Sequence, residues 1–111
     1  MTVRSKQLGH VLVANNTGHI IYQVPAGYRT IVKNVSVQSA AATAQPLRVY
    51  VLDSGGAELF RWTYWLAAAG ASGDSANQTV WVVMEAGQQL QVAFGNASGG
   101  SVSASGSELA L

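Results

Sequence analysis

The sequence predicts an all-β protein, an eight-stranded antiparallel β-sandwich of jelly-roll-like topology. Three observations carry that prediction. Clusters of Gly, Asn, Asp and Pro recur at short, regular intervals; these residues tolerate positive φ or preset φ, so each cluster reverses the chain. Between them lie runs of roughly five to ten residues rich in Val, Ile, Thr, Tyr and Trp. Helix signals are poor, because the one Ala-rich stretch, Leu66 to Ala71, is broken by Gly70 and followed by Gly73. Eight short strands fit two Greek keys folded into a jelly roll. A seven-stranded immunoglobulin-like sandwich is the alternative that periodicity does not separate from it.

The expected strands lie near 8–14, 18–24, 29–38, 47–53, 58–67, 78–84, 88–95 and 101–110. Residues 1–7 read as an N-terminal arm, and 8–111 as one sandwich domain. In the second strand Ile20, Tyr22 and Val24 alternate toward the core. Ile31, Val35 and Val37 of the third share a face with Lys33, which points to a bulge or a sheet edge there. The seventh strand is the cleanest, with Leu90, Val92 and Phe94 set against Gln89, Gln91 and Ala93. In the last, Val102 and Ala104 differ in parity from Leu109 and Leu111, and Gly106 between them is the expected bulge. Ala67 to Asn77 reads as a loop.

Composition narrows the function. Only 10% of the 111 residues are charged and 49% are hydrophobic, where about a quarter charged is usual. Copies of so neutral a chain repel one another weakly, which favours association. The net charge of +1 implies no nucleic-acid partner. The basic residues Arg4, Lys6, Arg29, Lys33 and Arg48 fill residues 1–52 without an acid, whereas 53–111 hold every acid and Arg61 alone. Either the two halves meet head to tail between molecules, or a sandwich interleaves them and mixes the charges. There is no cysteine, hence no disulfide or thiolate metal site. No apolar run approaches the ~20 residues of a membrane span, and Met1 to Lys6 lacks the apolar stretch of a secretory signal.

Catalytic patterns are missing. His10 and His19 are the only histidines, in neighbouring predicted strands, and no acid precedes Asp53 to complete a ligand set. Serines abound without a Gly-x-Ser-x-Gly elbow. Asp53, Asp74 and Glu85 fall in turns, where acids serve the backbone. The sequence therefore predicts no enzyme, no metal and no cofactor.

Recognition is better served. Phe60, Trp62 and Tyr64 lie on one face of the fifth strand, and Leu59, Arg61, Thr63 and Trp65 on the other. Large rings on both faces mean that one set faces away from this domain's core, unless sheet packing and a long loop bury both. Trp81, between Val80 and Val82, poses the same question. Arg61, Trp62, Tyr64, Trp65 and Trp81 are thus candidate contacts to another subunit, or stacking surfaces for a glycan. Arg4 and Lys6 make the arm a candidate docking segment for an acidic neighbour.

Residues 24–37, Val-Pro-Ala-Gly-Tyr-Arg-Thr-Ile-Val-Lys-Asn-Val-Ser-Val, resemble a hairpin of small β-sandwich virion proteins of tailed bacteriophages. A later hairpin of that group is matched by Met84, Gly87, Leu90 and Val92, and its closing strand by Ser105-Gly106-Ser107-Glu108-Leu109. The resemblance spans nearly the whole chain. It implies a non-enzymatic capsid decoration protein, or a neck or tail accessory protein, located in the virion after assembly in the host cytoplasm. Its partners would be the major capsid protein or other virion proteins. A homo-oligomer is expected, with a cyclic trimer the first choice given capsid local axes. The shared motifs are turn and core positions, so the resemblance assigns no functional residue. That group often has a less aromatic middle, which makes Phe60 to Trp65 this chain's own feature.

Overall fold

The strands pair from the two ends of the chain inward. The computed structural model describes residues 3–13, 17–39, 44–66, 74–95 and 99–111, with backbone alone for 74–77. Within them run β1 (Val3–Val13), β2 (His19–Gln23), β3 (Tyr28–Ser39), β4 (Gln45–Leu52), β5 (Glu58–Leu66), β6 (Asp74–Met84), β7 (Gln89–Phe94) and β8 (Gly100–Ala110). β1 pairs with β8, β2 with β7, β3 with β6 and β4 with β5, all antiparallel. The chain is in effect one long hairpin that folds over on itself, so that β3 also meets β8 and β4 meets β7. Two four-stranded sheets result, a first of order β1-β8-β3-β6 and a second of order β2-β7-β4-β5. That order is a jelly roll. An immunoglobulin-like sandwich would instead pair several sequence neighbours within each sheet.

Each sheet takes two strands from each half of the chain, so the basic and acidic halves interleave. Val35, Val37, Leu47, Val49, Val51, Leu90, Val92, Phe94, Val102 and Ala104 are buried between the sheets. Each Val, Leu or Phe among them contributes about 1.5–3 kcal/mol by leaving water. β7, inside its sheet with a neighbour on either side, shows the expected alternation from Gln89 to Val92 and buries Phe94, but Ala93, expected toward solvent, is buried as well.

Several expectations change. Residues 3–7 are no free arm, because they form the first half of β1 and pair with Ser105 to Leu109. β6 starts at Asp74, inside the stretch expected as a loop; residues 67–73 of that stretch lie outside the described residues. In β2 an extra residue, Ile21, shifts the register, and Ile20 is exposed while Tyr22 and Val24 stay buried. Lys33 does sit at a bulge in β3, which puts Val32 rather than Ile31 in the core.

Gly106 carries no bulge. β8 keeps one parity throughout, and the compensating extra residues are Leu8 in β1 and Lys33 in β3. Gly106 is required for another reason: a Cβ there would collide with the backbone carbonyl of Ile31 on the adjacent strand. The same constraint holds at Gly9, where a Cβ would run into the carbonyl of Ile21 and force apart the two sheets. Gly106→Ala is expected to cost about 1–3 kcal/mol. Ser105→Ala beside it should stay within about 0.5 kcal/mol. Urea midpoints at unchanged m-value measure both.

Candidate interaction surfaces

Unbroken parity in β8 turns Glu108 inward, where its side chain is 1% exposed. A buried carboxylate is costly unless every lone pair is engaged. Arg4, directly opposite on β1, donates from Nε to Glu108 Oε1 at 2.9 Å, and Lys6 Nζ lies 3.4 Å from the same oxygen. Tyr22 reaches across from the second sheet, and its hydroxyl donates to Glu108 Oε2 at 2.5 Å. The Tyr22 oxygen in turn takes the Thr30 hydroxyl at 2.6 Å. Arg4 also lies over the Tyr28 ring, 4.9 Å from its centroid. Burial works to raise the Glu108 carboxyl, but Tyr22, Arg4 and Lys6 together outweigh it and hold it below its usual range. Burial, reinforced by that hydrogen bond, pushes the Tyr22 phenol up to about 12.

Arg4 and Lys6, expected to seek an acidic neighbour, therefore hold an acid of their own chain. The remaining described acids behave alike. Arg29 pairs with Glu85 at 3.0 Å and Arg61 with Glu58 at 3.4 Å, while Asp53 accepts the Gly55 and Ala57 backbone amides at 2.9 Å. His10 and His19 sit in different sheets, and no group of three or more metal-ligating side chains occurs among the described residues.

The middle of the first sheet's outer face carries short, neutral side chains. Ser101, Ser103 and Ser105 alternate outward along β8, flanked by Gln7 and His10 of β1 and by Asn34, Ser36 and Gln38 of β3. The aromatic candidates do not gather into one site. On β5, Trp62 and Tyr64 face inward and pack at the margin of the core, whereas Arg61 and Trp65 face outward on the second sheet. Trp65 is 74% exposed. Trp81, 71% exposed, stands on the first sheet with Lys33 5.5 Å over its ring. β5 and β6 follow one another in sequence but belong to different sheets, so the two exposed indoles point to opposite sides of the sandwich. They cannot form a single stacking platform.

Inside that flank, Phe60 stacks on Trp62 at 5.9 Å and Trp62 meets Tyr64 edge-on at 6.4 Å. Trp62 Nε1 and the Tyr64 hydroxyl are buried without a hydrogen-bond partner among the described residues. Arg61 lies over Tyr50 of β4, 5.7 Å from the ring. Sequence reasoning missed Glu108 and Tyr22 as a structural pair; only the parity of β8 could have signalled them.

No family model matches the sequence, and no curated protein matches it. Among solved structures, a structure of the infectious bursal disease virus Gx strain is similar, with a TM-score of 0.51 at 11% identity. The alignment covers 96% of this chain and 31% of that one. The infectious bursal disease virus T13 particle matches at 11% identity and a TM-score of 0.45, over 96% of this chain and 30% of that one. This chain thus spans about a third of the length of the structures it matches. What it shares with the first is the fold.

Two predictions follow from these contacts. Glu108, held low when folded, stabilises the protein above its unfolded pKa, and that stability is lost as pH falls through the folded value. Tyr22, held up at about 12, stabilises below its unfolded value of about 10, and that is lost as pH rises toward 12. Tyr22→Phe should cost about 1.5–3 kcal/mol near neutrality, shift acid unfolding to higher pH and flatten the alkaline limb; denaturation curves across pH read all three. Trp65→Ala and Trp81→Ala should change stability by less than about 1 kcal/mol, whereas Trp62→Ala should cost about 3 kcal/mol, measured by thermal melting.

Proposed function

We propose that this chain is a non-enzymatic structural protein of a virion, acting as a capsid decoration protein that binds the outer surface of the head. The observation that carries the reading is how the surface is made. Arg4, Lys6, Arg29 and Arg61 pair with acids of the same chain, the middle of the first sheet's outer face presents neutral hydroxyl and amide groups, and Trp65 and Trp81 stand exposed on opposite sheets. Such a surface suits wet, neutral contacts with neighbouring subunits. Among the described residues it offers no set of converging acid, base and nucleophile for chemistry. The jelly-roll fold shared with an infectious bursal disease virus structure supports a virion role, and the resemblance of residues 24–37 to tailed-phage virion proteins supports the phage assignment.

Trp65 on one side and Trp81 on the other are the proposed anchors, with coat subunits or further copies as partners. A neck or tail adaptor would use the same surface on a different virion partner. The expected outcome is that purified heads lacking the protein melt at lower temperature and recover on its addition. Trp81→Ala, though folded, should restore less of that stability. Unchanged head melting, with density for the protein at the tail in electron micrographs, would transfer it to the adaptor role.

A further inference from the structure

All four sheet edges carry a bulge: Leu8 in β1, Ile21 in β2, Leu59 in β5, and one extra residue at Val80–Trp81 in β6 opposite Lys33. Bulges blunt an edge against pairing with another chain. On β5 the bulge lies near the start, so Phe60 to Leu66 runs regularly along β4 and is unpaired on its other side among the described residues. That segment carries a single charge, Arg61, and the exposed Trp65.

We infer that the free edge of β5 pairs with β5 of a second copy, antiparallel, about a two-fold axis through Thr63. The register follows from elimination. Opposed residues in a β-ladder share a face, so only registers that set inner residues against inner ones keep the aromatic row off the surface. An axis at Arg61 would oppose like charges directly. One at Trp62 would pull the Leu59 bulge into the ladder, and one at Tyr64 would leave Arg61 beyond Trp65 without an aromatic partner.

An axis at Thr63 uses all seven residues. Phe60 then faces Leu66 of the second copy, and Arg61 faces its Trp65, an opposed cation and ring repeated twice by the symmetry. Trp62 faces its Tyr64, bringing an indole N–H and a hydroxyl, both unpartnered among the described residues, onto one row. Arg61 is 55% exposed and keeps its contacts to Tyr50 and Glu58 on its other side. The contact is self-complementary, as an isologous interface must be. It would join two four-stranded sheets into one of eight strands, independently of any location in a virion.

The chain has no cysteine, so single-cysteine variants report proximity without background. At the axis, the two copies of an exposed Thr63→Cys would lie within disulfide reach. Under mild oxidation this variant should become a covalent dimer, while Leu12→Cys, also exposed but on β1, gains no cross-link. In sedimentation the wild type should be a dimer, and Arg61→Glu should weaken it about tenfold or more without changing its circular dichroism. Cross-linking of Thr63→Cys no faster than the Leu12→Cys control, or a wild-type chain that sediments as monomer or trimer, overturns the inference.

Discussion

A single buried carboxylate organises one flank of this molecule. Glu108 is tolerated between the sheets only because Arg4 and Lys6 arrive from β1 and Tyr22 arrives from the opposite sheet. Four strands meet there, since Thr30 of β3 completes the chain of hydrogen bonds. Buried polar groups are costly when half satisfied, so the network forms as a unit or not at all. It also fixes the register of β1 on β8, because a shift by one residue would turn Arg4 and Glu108 to opposite faces. At the other end of β3 a smaller arrangement does similar work, where buried Gln45 donates to Ser39 at 2.7 Å and to the Gly99 carbonyl at 3.1 Å.

The two flanks of the sandwich differ as a result. On the β1–β2 side the backbones approach so closely at Gly9 and Ile21 that no side chain fits between them. On the β5–β6 side the gap is filled by rings, with Phe60 45% exposed even though it faces inward. A closed polar seam opposite an aromatic margin gives the protein a natural polarity of contact. Association through the aromatic side leaves the seam, and the ion pairs it needs, untouched.

How much of this could be read in the sequence depends on where each residue sits. β7 was legible because it has a strand on either side and a face on the core, so its pattern answers to one rule. The edge strands were not, because an extra residue such as Leu8 or Ile21 is placed by the partner's register rather than by its own neighbours. That is why Ile20 exchanged roles with its surroundings and why residues 3–7 looked like an arm. Glu108 was misread for a simpler reason: acids are almost always outside, and nothing local marks the exception. The aromatic run announced that rings face two ways, but their separation onto opposite sides is a property of topology. Adjacent strands in sequence, β5 and β6, were assigned to different sheets by the fold-over of the long hairpin.

That fold-over also bears on how the molecule is made. Arg4 and Glu108 stand 104 residues apart in the chain, so β1 finds its partner only after the six strands between them have been synthesised. Chains dominated by such distant pairings order slowly, in milliseconds to seconds. Until β8 arrives, β1 and β3 wait with the faces it will later occupy exposed to solvent. The first sheet is therefore most vulnerable to mispairing until β8 arrives, and this eleven-residue strand acts as the keystone that locks it.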